Sequence, residues 1–286
     1  MEISAFLTVT FLFLFGSAVG SFFNVIALRF REEIRIWNWN IIGGRSHCPL
    51  CKKTLVWYEL IPVFSFLAQR GRCRQCGGAL PLQYLLVEII TGAIWVLVPM
   101  HVLALMPSAY IAAALYAVVF SLFILLALID MRLYLIPNEV SLLLAVLGAL
   151  IVFELSRMGA DIFSFLGYYS FLFGQPQNIL LNRVLASAVG FLFFGAIVFL
   201  TRGKAMGMGD VKFAVPLGII FGFPDAAVMI ALAFVIGALI GIWLLLGGKK
   251  HMKDAVPFGP FLVIGATLVF FFGSVILRFL FALFTG

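Results

Sequence analysis

Charged residues are scarce in this sequence of 286 residues: they make up 11% of it, whereas hydrophobic residues make up 64%. Soluble domains contain about 25% charged and about 45–50% apolar residues, so a water-soluble globule is excluded. Intrinsic disorder is excluded as well, because it requires low hydrophobicity and high charge. The composition therefore predicts an integral membrane protein built as a bundle of helices.

Histidine is also rare, with three scattered residues, and neither a G-x-S-x-G nor an H-E-x-x-H motif occurs. The sequence thus lacks the marks of a serine nucleophile elbow and of a zinc-protease helix. No G-x-G-x-x-G fingerprint of a nucleotide-binding strand and helix is found either. For this reason the sequence assigns no residues to an organic cofactor.

Eight apolar runs are candidates for membrane helices, each of which needs about 20 apolar residues. The first run, 3–28, has no basic segment before it, so we expect a retained span and not a removed signal peptide. The run at 212–223 is short and contains Gly218, so we expect it to be tilted, broken or partly embedded. We therefore predict an all-α polytopic membrane protein with about eight transmembrane helices. The runs are 3–28, 82–100, 105–129, 138–155, 179–200, 212–223, 226–247 and 257–284.

Basic residues accumulate on one side of such a bundle. Of the 19 Lys and Arg residues, 16 fall on the side of the hydrophilic segment 29–81, among them the border residue Lys212 and the cations of 248–256. By the positive-inside rule this side is cytoplasmic, and both termini face outward. We assign most of these cations to topology. The aromatic segment 156–178 falls on the other side, at the membrane interface. The predicted regions are a first transmembrane helix (1–28), a cytoplasmic loop (29–81) and a helical bundle (82–286).

All four cysteines lie in the 29–81 loop, in two C-x2-C pairs separated by 21 residues. Two such pairs supply the four thiolates of a closed tetrahedral zinc site, which would fold a loop too small to bury a sufficient core. Two disulfides or a thiol redox pair are the alternatives, and a cytoplasmic location disfavours stable disulfides. The predicted ligands of one structural zinc ion are Cys48, Cys51, Cys73 and Cys76.

Two acidic residues stand at the predicted cytoplasmic border. Asp130 ends a long apolar run, and Asp210 follows Gly207-Met208-Gly209. An ionisable group at membrane depth is costly and usually marks a functional site, although each aspartate could simply end or cap a helix. The two glycines favour function, because they allow positive φ angles or the close approach of another segment.

A pair of carboxyl groups a few ångströms apart cannot be doubly ionised cheaply, so one of them keeps a proton. The ionised member can remove a proton from water, and the protonated member can then hydrogen-bond the oxyanion formed at a peptide carbonyl. This is the chemistry of aspartic proteases. Asp130 and Asp210 are 80 positions apart, so periodicity alone does not show that they meet.

Several short blocks stand in order between residues 20 and 260: Gly20-Ser-Phe-Phe-Asn-Val25, the two C-x2-C pairs, Trp57-Tyr-Glu-Leu-Ile-Pro62, Ile129-Asp130, Ile136-Pro137-Asn138, Gly207-Met-Gly-Asp210-Val-Lys212 and Pro257-Phe-Gly-Pro260. Together they resemble the type IV prepilin peptidase family, the bacterial leader peptidases of the GxGD intramembrane aspartic protease group. The resemblance implies that Asp130 and Asp210 are catalytic and that the four cysteines bind the metal. One departure is Asn138, where related sequences often carry a second acid.

The resemblance also implies a function. Members of this family cut the basic leader from prepilins or pseudopilins at the cytoplasmic face of the bacterial inner membrane, for type IV pili or type II secretion. Members with the cysteine loop resemble the bifunctional type, which also methylates the new N-terminus with S-adenosylmethionine. The implied partners are these substrates and the lipid bilayer, with no nucleic acid; the resemblance leaves the oligomeric state open.

Two functions of other classes are compatible with the same residues. Border acids also line the ion pathways of proton-coupled or cation-coupled transporters. A membrane scaffold could use a zinc-stapled loop to dock a partner, with the aspartates serving only as helix caps.

Overall fold

The computed structural model describes residues 2–33, 36, 38–160, 163–174, 178–248 and 256–285. Within these ranges the chain forms α-helices and two short 3-10 helices, and it contains no β-strand. Some of the basic residues and one of the histidines counted above lie outside the described part of the chain: Arg35, Lys249, Lys250, His251 and Lys253.

Seven of the helices are long and apolar enough to cross a membrane. The chain is therefore a multi-pass membrane protein, and the predicted all-α fold is confirmed. The three shorter helices are α2, α3 and α8, and 3-10 helices cover Trp57–Glu59 and Gly167–Phe173. The helices are α1 (Glu2–Arg29), α2 (Trp39–Ile42), α3 (Phe64–Ala68), α4 (Gln83–Leu105), α5 (Tyr110–Leu133), α6 (Asn138–Arg157), α7 (Ile179–Thr201), α8 (Met208–Phe221), α9 (Asp225–Leu246) and α10 (Gly259–Thr285).

The chain divides into two compact units, residues 1–128 and 129–286. In the first unit, α1 packs along α4 through small residues. A Cβ atom at Gly16 would lie 2.7 Å from the Thr91 carbonyl oxygen, and one at Gly20 would lie 2.9 Å from the Val87 carbonyl oxygen. Small residues at helix interfaces let backbones approach closely in a membrane, where van der Waals packing holds helices together. Any larger side chain at these two glycines would push the helices apart.

In the second unit, α8 is buried against α6 and α7. Its N-terminal half is tied to the start of α6, because Lys212 Nζ donates a hydrogen bond to Asn138 Oδ1 at 2.9 Å. The residue just beyond its C-terminus is tied to the start of α7, because Asn182 Nδ2 donates to the Phe223 carbonyl oxygen at 2.7 Å. This short helix therefore runs from one end of the unit to the other.

A helix of 14 residues is only about 21 Å long, which is less than the hydrocarbon thickness of a bilayer. Polar side chains of α7 satisfy the backbone around its C-terminal half, which a membrane requires of every backbone group. Asn182 Oδ1 accepts from the Phe223 N–H at 2.8 Å, and Arg183 Nη1 donates to the Ile220 carbonyl oxygen at 2.9 Å. Residues 212–221 of the apolar run thus belong to one unbroken helix, and α7 supplies hydrogen bonds to the backbone where that helix ends.

The same end of the second unit holds a buried acid at the start of α9. Asp225 is 1% exposed and accepts hydrogen bonds from the Ser164 hydroxyl and from the Phe165 N–H, the latter at 2.9 Å. It therefore fixes the segment that follows α6. Beyond this segment Tyr168 is 80% exposed, as expected for an aromatic residue at a membrane interface.

Candidate active site and cysteine cluster

Asp130 and Asp210 both belong to the second unit, where Asp130 lies in the last turn of α5 and Asp210 in the first turn of α8. Their side chains are buried, with 4% and 8% of each residue exposed. The carboxyl groups are close enough that the charge of Asp130 acts on Asp210. The fold therefore brings together the two acids that the sequence analysis selected.

Asp130 is held by the start of α10. Its Oδ2 atom accepts a hydrogen bond from the Gly259 N–H at 2.9 Å, which satisfies one of the backbone donors left free at a helix N-terminus. The neighbouring ring of Phe258 packs 4.9 Å from the ring of Phe234 and 6.0 Å from the ring of Phe194. Aromatic residues of α7 and α9 thereby fix the peptide that contacts Asp130.

Asp210 is the third residue of α8 and interacts with the backbone N–H of Gly207, the residue that precedes the helix. An acid at this position commonly reaches back in this way, so Asp210 does help to cap its helix. Capping alone does not explain why Asp210 is buried beside a second carboxyl group. Both the burial and the neighbouring carboxyl group make a negative charge on Asp210 more costly. Asp210 can therefore both cap α8 and form one half of an acid pair.

The glycines before Asp210 act differently from each other. Gly207 has a φ of −84° and Gly209 is not among the residues with positive φ, so the expectation of a left-handed backbone is wrong. The expectation of a close approach is correct at Gly209, where a Cβ atom would lie 3.1 Å from the Cβ of Ile136. At Gly207 the nearest atom would be 3.9 Å away. Gly209 therefore lets α8 begin against the loop that precedes α6.

Directly after this loop, the first residue of α6 is Asn138, the position that departs from the family pattern. Its side-chain oxygen accepts the hydrogen bond from Lys212 described above. The side-chain amide of Asn138 supplies an acceptor for Lys212 and carries no charge of its own. The site is thus built from four separate segments: Asp130, Ile136–Asn138, Gly207–Lys212 and Phe258–Gly259.

The four cysteines meet in the first unit, where their sulfur atoms all lie within 4.8 Å of one another. All four are free thiols, and Cys48 and Cys73 are buried while Cys51 and Cys76 are exposed. Backbone N–H groups of Cys76 and of Gln75 lower the pKa of the Cys73 thiol to about 6, which favours the thiolate that binds metals. The cluster fits a single tetrahedral ion, as the spacing predicts.

The two cysteine pairs share one backbone design, a repeat that the sequence analysis did not find. In each pair the first cysteine donates its N–H to the carbonyl oxygen five residues later, and one antiparallel bridge closes the turn. Outside the cysteines the side chains of the two turns differ, so the repeat leaves little trace in the sequence. The bonds are Cys48 N to Lys53 O and Cys73 N to Gly78 O, both 2.9 Å, with bridges between His47 and Thr54 and between Arg72 and Ala79.

Two buried glutamates support the cysteine loop and were also missed. Glu88, on α4, accepts a hydrogen bond from the Val63 N–H at 2.7 Å and so holds a residue with an unfavourable φ of 65°. Glu59 accepts from the Val56 N–H at 3.0 Å and pairs with Lys53 at 3.7 Å. An acid inside an apolar run was the available signal for Glu88, since such residues are rare in membrane helices.

Comparison with known proteins gives two family matches. Residues 14–102 match the profile described as bacterial Peptidase A24 N-terminal domain, and residues 117–242 match the type IV leader peptidase family. No solved structure gives a significant match.

Three similar curated proteins carry the name prepilin leader peptidase/N-methyltransferase. The protein from Bacillus subtilis (strain 168) is 31% identical over 272 residues, which cover 94% of this chain and 96% of that protein. The protein from Aeromonas salmonicida (strain A449) is 29% identical, with 93% and 91% covered. The protein from Xanthomonas campestris pv. campestris is 28% identical, with 91% and 89% covered.

Proposed function

The chain belongs to the type IV leader peptidase family, and on that premise we propose that it is a membrane aspartic endopeptidase that removes the leader of prepilins or pseudopilins. We also propose that it methylates the new N-terminus, as the names of its relatives indicate. The observation that carries the peptidase proposal is the burial of Asp130 beside Asp210 at the meeting point of four segments.

The reaction needs one ionised and one protonated carboxyl group. The ionised member of the pair removes a proton from water, and the oxygen of this water forms a bond to the scissile carbonyl carbon. The protonated member donates a hydrogen bond to the carbonyl oxygen as it gains negative charge, and the amide nitrogen then leaves with a proton. Burial strengthens these electrostatic interactions because little water competes with them.

A site at the helix ends suits a substrate that is itself anchored in the membrane. The apolar helix of a prepilin can stay in lipid while its basic leader lies in the cytoplasm, so the bond to be cut reaches the border. We propose that the protein lies in the bacterial inner membrane with the aspartates and the cysteine loop on the cytoplasmic side. The distribution of basic residues supports this orientation.

We propose that Cys48, Cys51, Cys73 and Cys76 hold one zinc ion. The four sulfur atoms leave no open coordination position, so the ion would brace the loop and take no part in hydrolysis. We also propose that the loop is the region 29–81, between a first helix at 1–28 and a bundle at 82–286. The end of α1 at Arg29 and the start of α4 at Gln83 support these boundaries.

The test of the peptidase is the replacement of either aspartate by asparagine. Asp130→Asn and Asp210→Asn should each lower the rate of leader removal from a purified prepilin by a factor of about 10² to 10⁴, because each removes one half of the acid–base pair. Mass analysis of the product measures the cleavage.

Glu139→Gln is the matched control, since it removes a carboxylate from the first turn of α6, outside the four segments that form the site. It should cut at the wild-type rate. Normal processing by a folded Asp130→Asn or Asp210→Asn protein would refute the proposed chemistry.

A further inference from the structure

Large apolar side chains are exposed in the stretch between the two cysteine pairs. Four of them form a surface called the loop patch: Trp57, Ile61, Phe64 and Leu67. Their exposed fractions run from 39% at Ile61 to 76% at Trp57. Phe64 and Leu67 lie three residues apart on α3 and so share one face of it, whereas the two residues between them line a cavity inside the unit. Exposed apolar surface of this extent marks an interaction site.

We propose that the loop patch inserts into the lipid interface on the cytoplasmic side of the membrane and that Arg70 and Arg74, beside it, bind the phosphate groups of anionic lipids. The inference goes beyond the proposed function, of which it uses only the orientation of the loop. It gives the cysteine loop a partner, the lipid surface around the protein.

A hydrogen bond fixes the depth of the loop relative to the membrane helix α4. Glu88 is the sixth residue of α4, so it lies about 7.5 Å along the helix axis from Gln83. Its Oε2 atom accepts from the Val63 N–H at 2.7 Å, which holds the backbone next to Phe64 at the second turn of α4. A helix of 23 residues is about 35 Å long and exceeds the hydrocarbon layer of about 30 Å by only a few ångströms. The residues around Val63 therefore lie where the hydrocarbon layer meets the headgroups.

This depth explains the exposed aromatic residues of the loop. The 3-10 helix that carries Trp57 packs against α3. The Trp57 ring meets the ring of Tyr58 edge to face with centroids 5.8 Å apart, and both residues are exposed. Tryptophan and tyrosine are enriched where lipid meets water, because their rings combine an apolar body with a polar group. At the headgroup level the two rings are therefore anchors, whereas in water they would be a hydrophobic liability.

Positive charge borders the loop patch. Arg70 follows α3 and donates its N–H to the Leu67 carbonyl oxygen at 2.9 Å. The guanidinium carbon of Arg74 lies 5.2 Å from the centroid of the Tyr58 ring. Glu59 is the only acid between the two cysteine pairs, and it is 6% exposed. An apolar surface that is flanked by exposed arginines and lacks exposed carboxylates matches the chemistry of an anionic lipid surface.

The same charges argue against the substrate as the occupant of the loop patch. The leader expected of a prepilin is basic, so Arg70 and Arg74 would repel it. Lipid phosphates are attracted instead, by about fivefold in affinity for each basic residue near an anionic membrane. The loop patch therefore fits the lipid surface.

The first test isolates the fluorescence of Trp57 in the full-length protein, reconstituted in vesicles of phosphatidylglycerol and phosphatidylcholine. The spectrum of Trp57→Phe is subtracted from that of the wild type, and lipids brominated near the headgroup end of their acyl chains serve as quenchers. We expect brominated lipid to quench Trp57 about as strongly as Trp243, and aqueous iodide to quench it weakly. Trp243→Phe supplies the reference, because Trp243 is 62% exposed in the last turn of the membrane helix α9.

Strong quenching by iodide without quenching by brominated lipid would overturn the inference, because Trp57 would then face water. If added prepilin abolished that iodide quenching, the loop patch would be a substrate site instead. Protection from both quenchers would overturn the inference as well, because protein would then cover the loop patch. The assay measures neither leader cleavage nor methylation, so failure of the proposed function would leave its outcome unchanged.

The second test removes the charges beside the loop patch. Brominated phosphatidylglycerol should quench wild-type Trp57 more strongly than brominated phosphatidylcholine does at the same mole fraction. Arg70→Asn with Arg74→Ser should lower this preference by about fivefold or more. Asparagine is used at Arg70 because this residue has a φ of 52°, which asparagine tolerates.

Arg202→Asn with Lys204→Ser is the matched control, because Arg202 has the same φ of 52° and both residues are exposed in the other unit. This variant should keep the wild-type preference for phosphatidylglycerol around Trp57. Equal preferences in the two double variants would show that Arg70 and Arg74 do not bind anionic lipid and would contradict the proposal.

Discussion

At the residue scale, Gly209 shows how the absence of a side chain positions the proposed active site. An alanine at this position would place its Cβ about 3.1 Å from the Cβ of Ile136, so that Ile136 must shift by a few tenths of an ångström. We predict that Gly209→Ala lowers the rate of leader cleavage by about tenfold or more, because small displacements of catalytic groups are costly. Gel-based processing of a prepilin measures the rate.

Gly207→Ala is the control for this prediction, because a Cβ there has no contact closer than 3.9 Å and the backbone N–H that faces Asp210 is kept. It should retain most of the wild-type rate. If both alanine variants behave alike, the close approach at Gly209 does not matter for the site.

The site residues differ in how far the sequence reveals them. Asp130 and Asp210 could be selected because acids are conspicuous at the ends of apolar runs. Glu59 was not selected, because its partner is the backbone N–H of Val56, and such a contact has no counterpart in the residue types. The hydrogen bond between Asp130 and Gly259 was not predicted either, because its donor is also a backbone N–H group and lies 129 positions away in the sequence.

At the scale of single elements, the short helix α8 depends on the polar face of α7. Asn182 makes two hydrogen bonds to the backbone of Phe223, where α8 has just ended. We predict that Asn182→Leu lowers the free energy of unfolding by about 2–4 kcal/mol, because buried backbone groups are left without partners. Thermal unfolding in a fixed detergent would measure the loss.

Leu180→Ala serves as the comparison, since Leu180 lies on the same helix with 62% of the residue exposed. It should change stability much less than Asn182→Leu. An Asn182→Leu protein as stable as this control would show that other groups support the end of α8.

The sequence located α8 but not its role. An apolar run at 212–223 indicated a weak span, and the helix covers Met208–Phe221. Hydropathy indicates the length of an apolar segment. It does not show that α8 runs the length of the second unit in 14 residues, because that depends on hydrogen bonds from side chains of α7. Long-range pairing of this kind lies outside any periodic pattern.

The cysteine loop is the other element with a direct test. We predict that the purified protein contains about one zinc ion per chain and that Cys73→Ser abolishes its retention, because three thiolates cannot close the site. Metal analysis and limited proteolysis within 29–81 would measure both effects. Arg74→Ser, at the adjacent exposed position, should keep the metal. A reduced, folded wild-type sample without metal would rule out the zinc proposal.

At the scale of the whole molecule, the proposed orientation can be tested with a membrane-impermeant maleimide. Tyr168 is exposed on the segment assigned to the outside, so Tyr168→Cys should be labelled in intact cells. The wild-type chain, whose four cysteines all lie in the proposed cytoplasmic loop, should be labelled only after the membrane is permeabilised. Labelling of the wild-type chain in intact cells would reverse the orientation.

Composition was enough to predict the membrane class and the all-α fold, since both follow from the long apolar runs. It did not predict the division into residues 1–128 and 129–286, which falls within α5 and coincides with no linker. Compactness depends on which helices pack together, as α1 with α4 and α6 with α8 do here. Small residues and single polar contacts determine which helices pack together.

The carboxylate of Glu88 has one further consequence, for how such a chain could be shortened during evolution. It lies in a membrane helix and is matched there by an amide of the cysteine loop. Excising that loop alone would remove the backbone partner of this acid and leave Ser21 of α1 as its hydrogen-bond partner, which makes its burial more costly. A descendant that dispenses with the cysteines is therefore expected to have lost this glutamate as well.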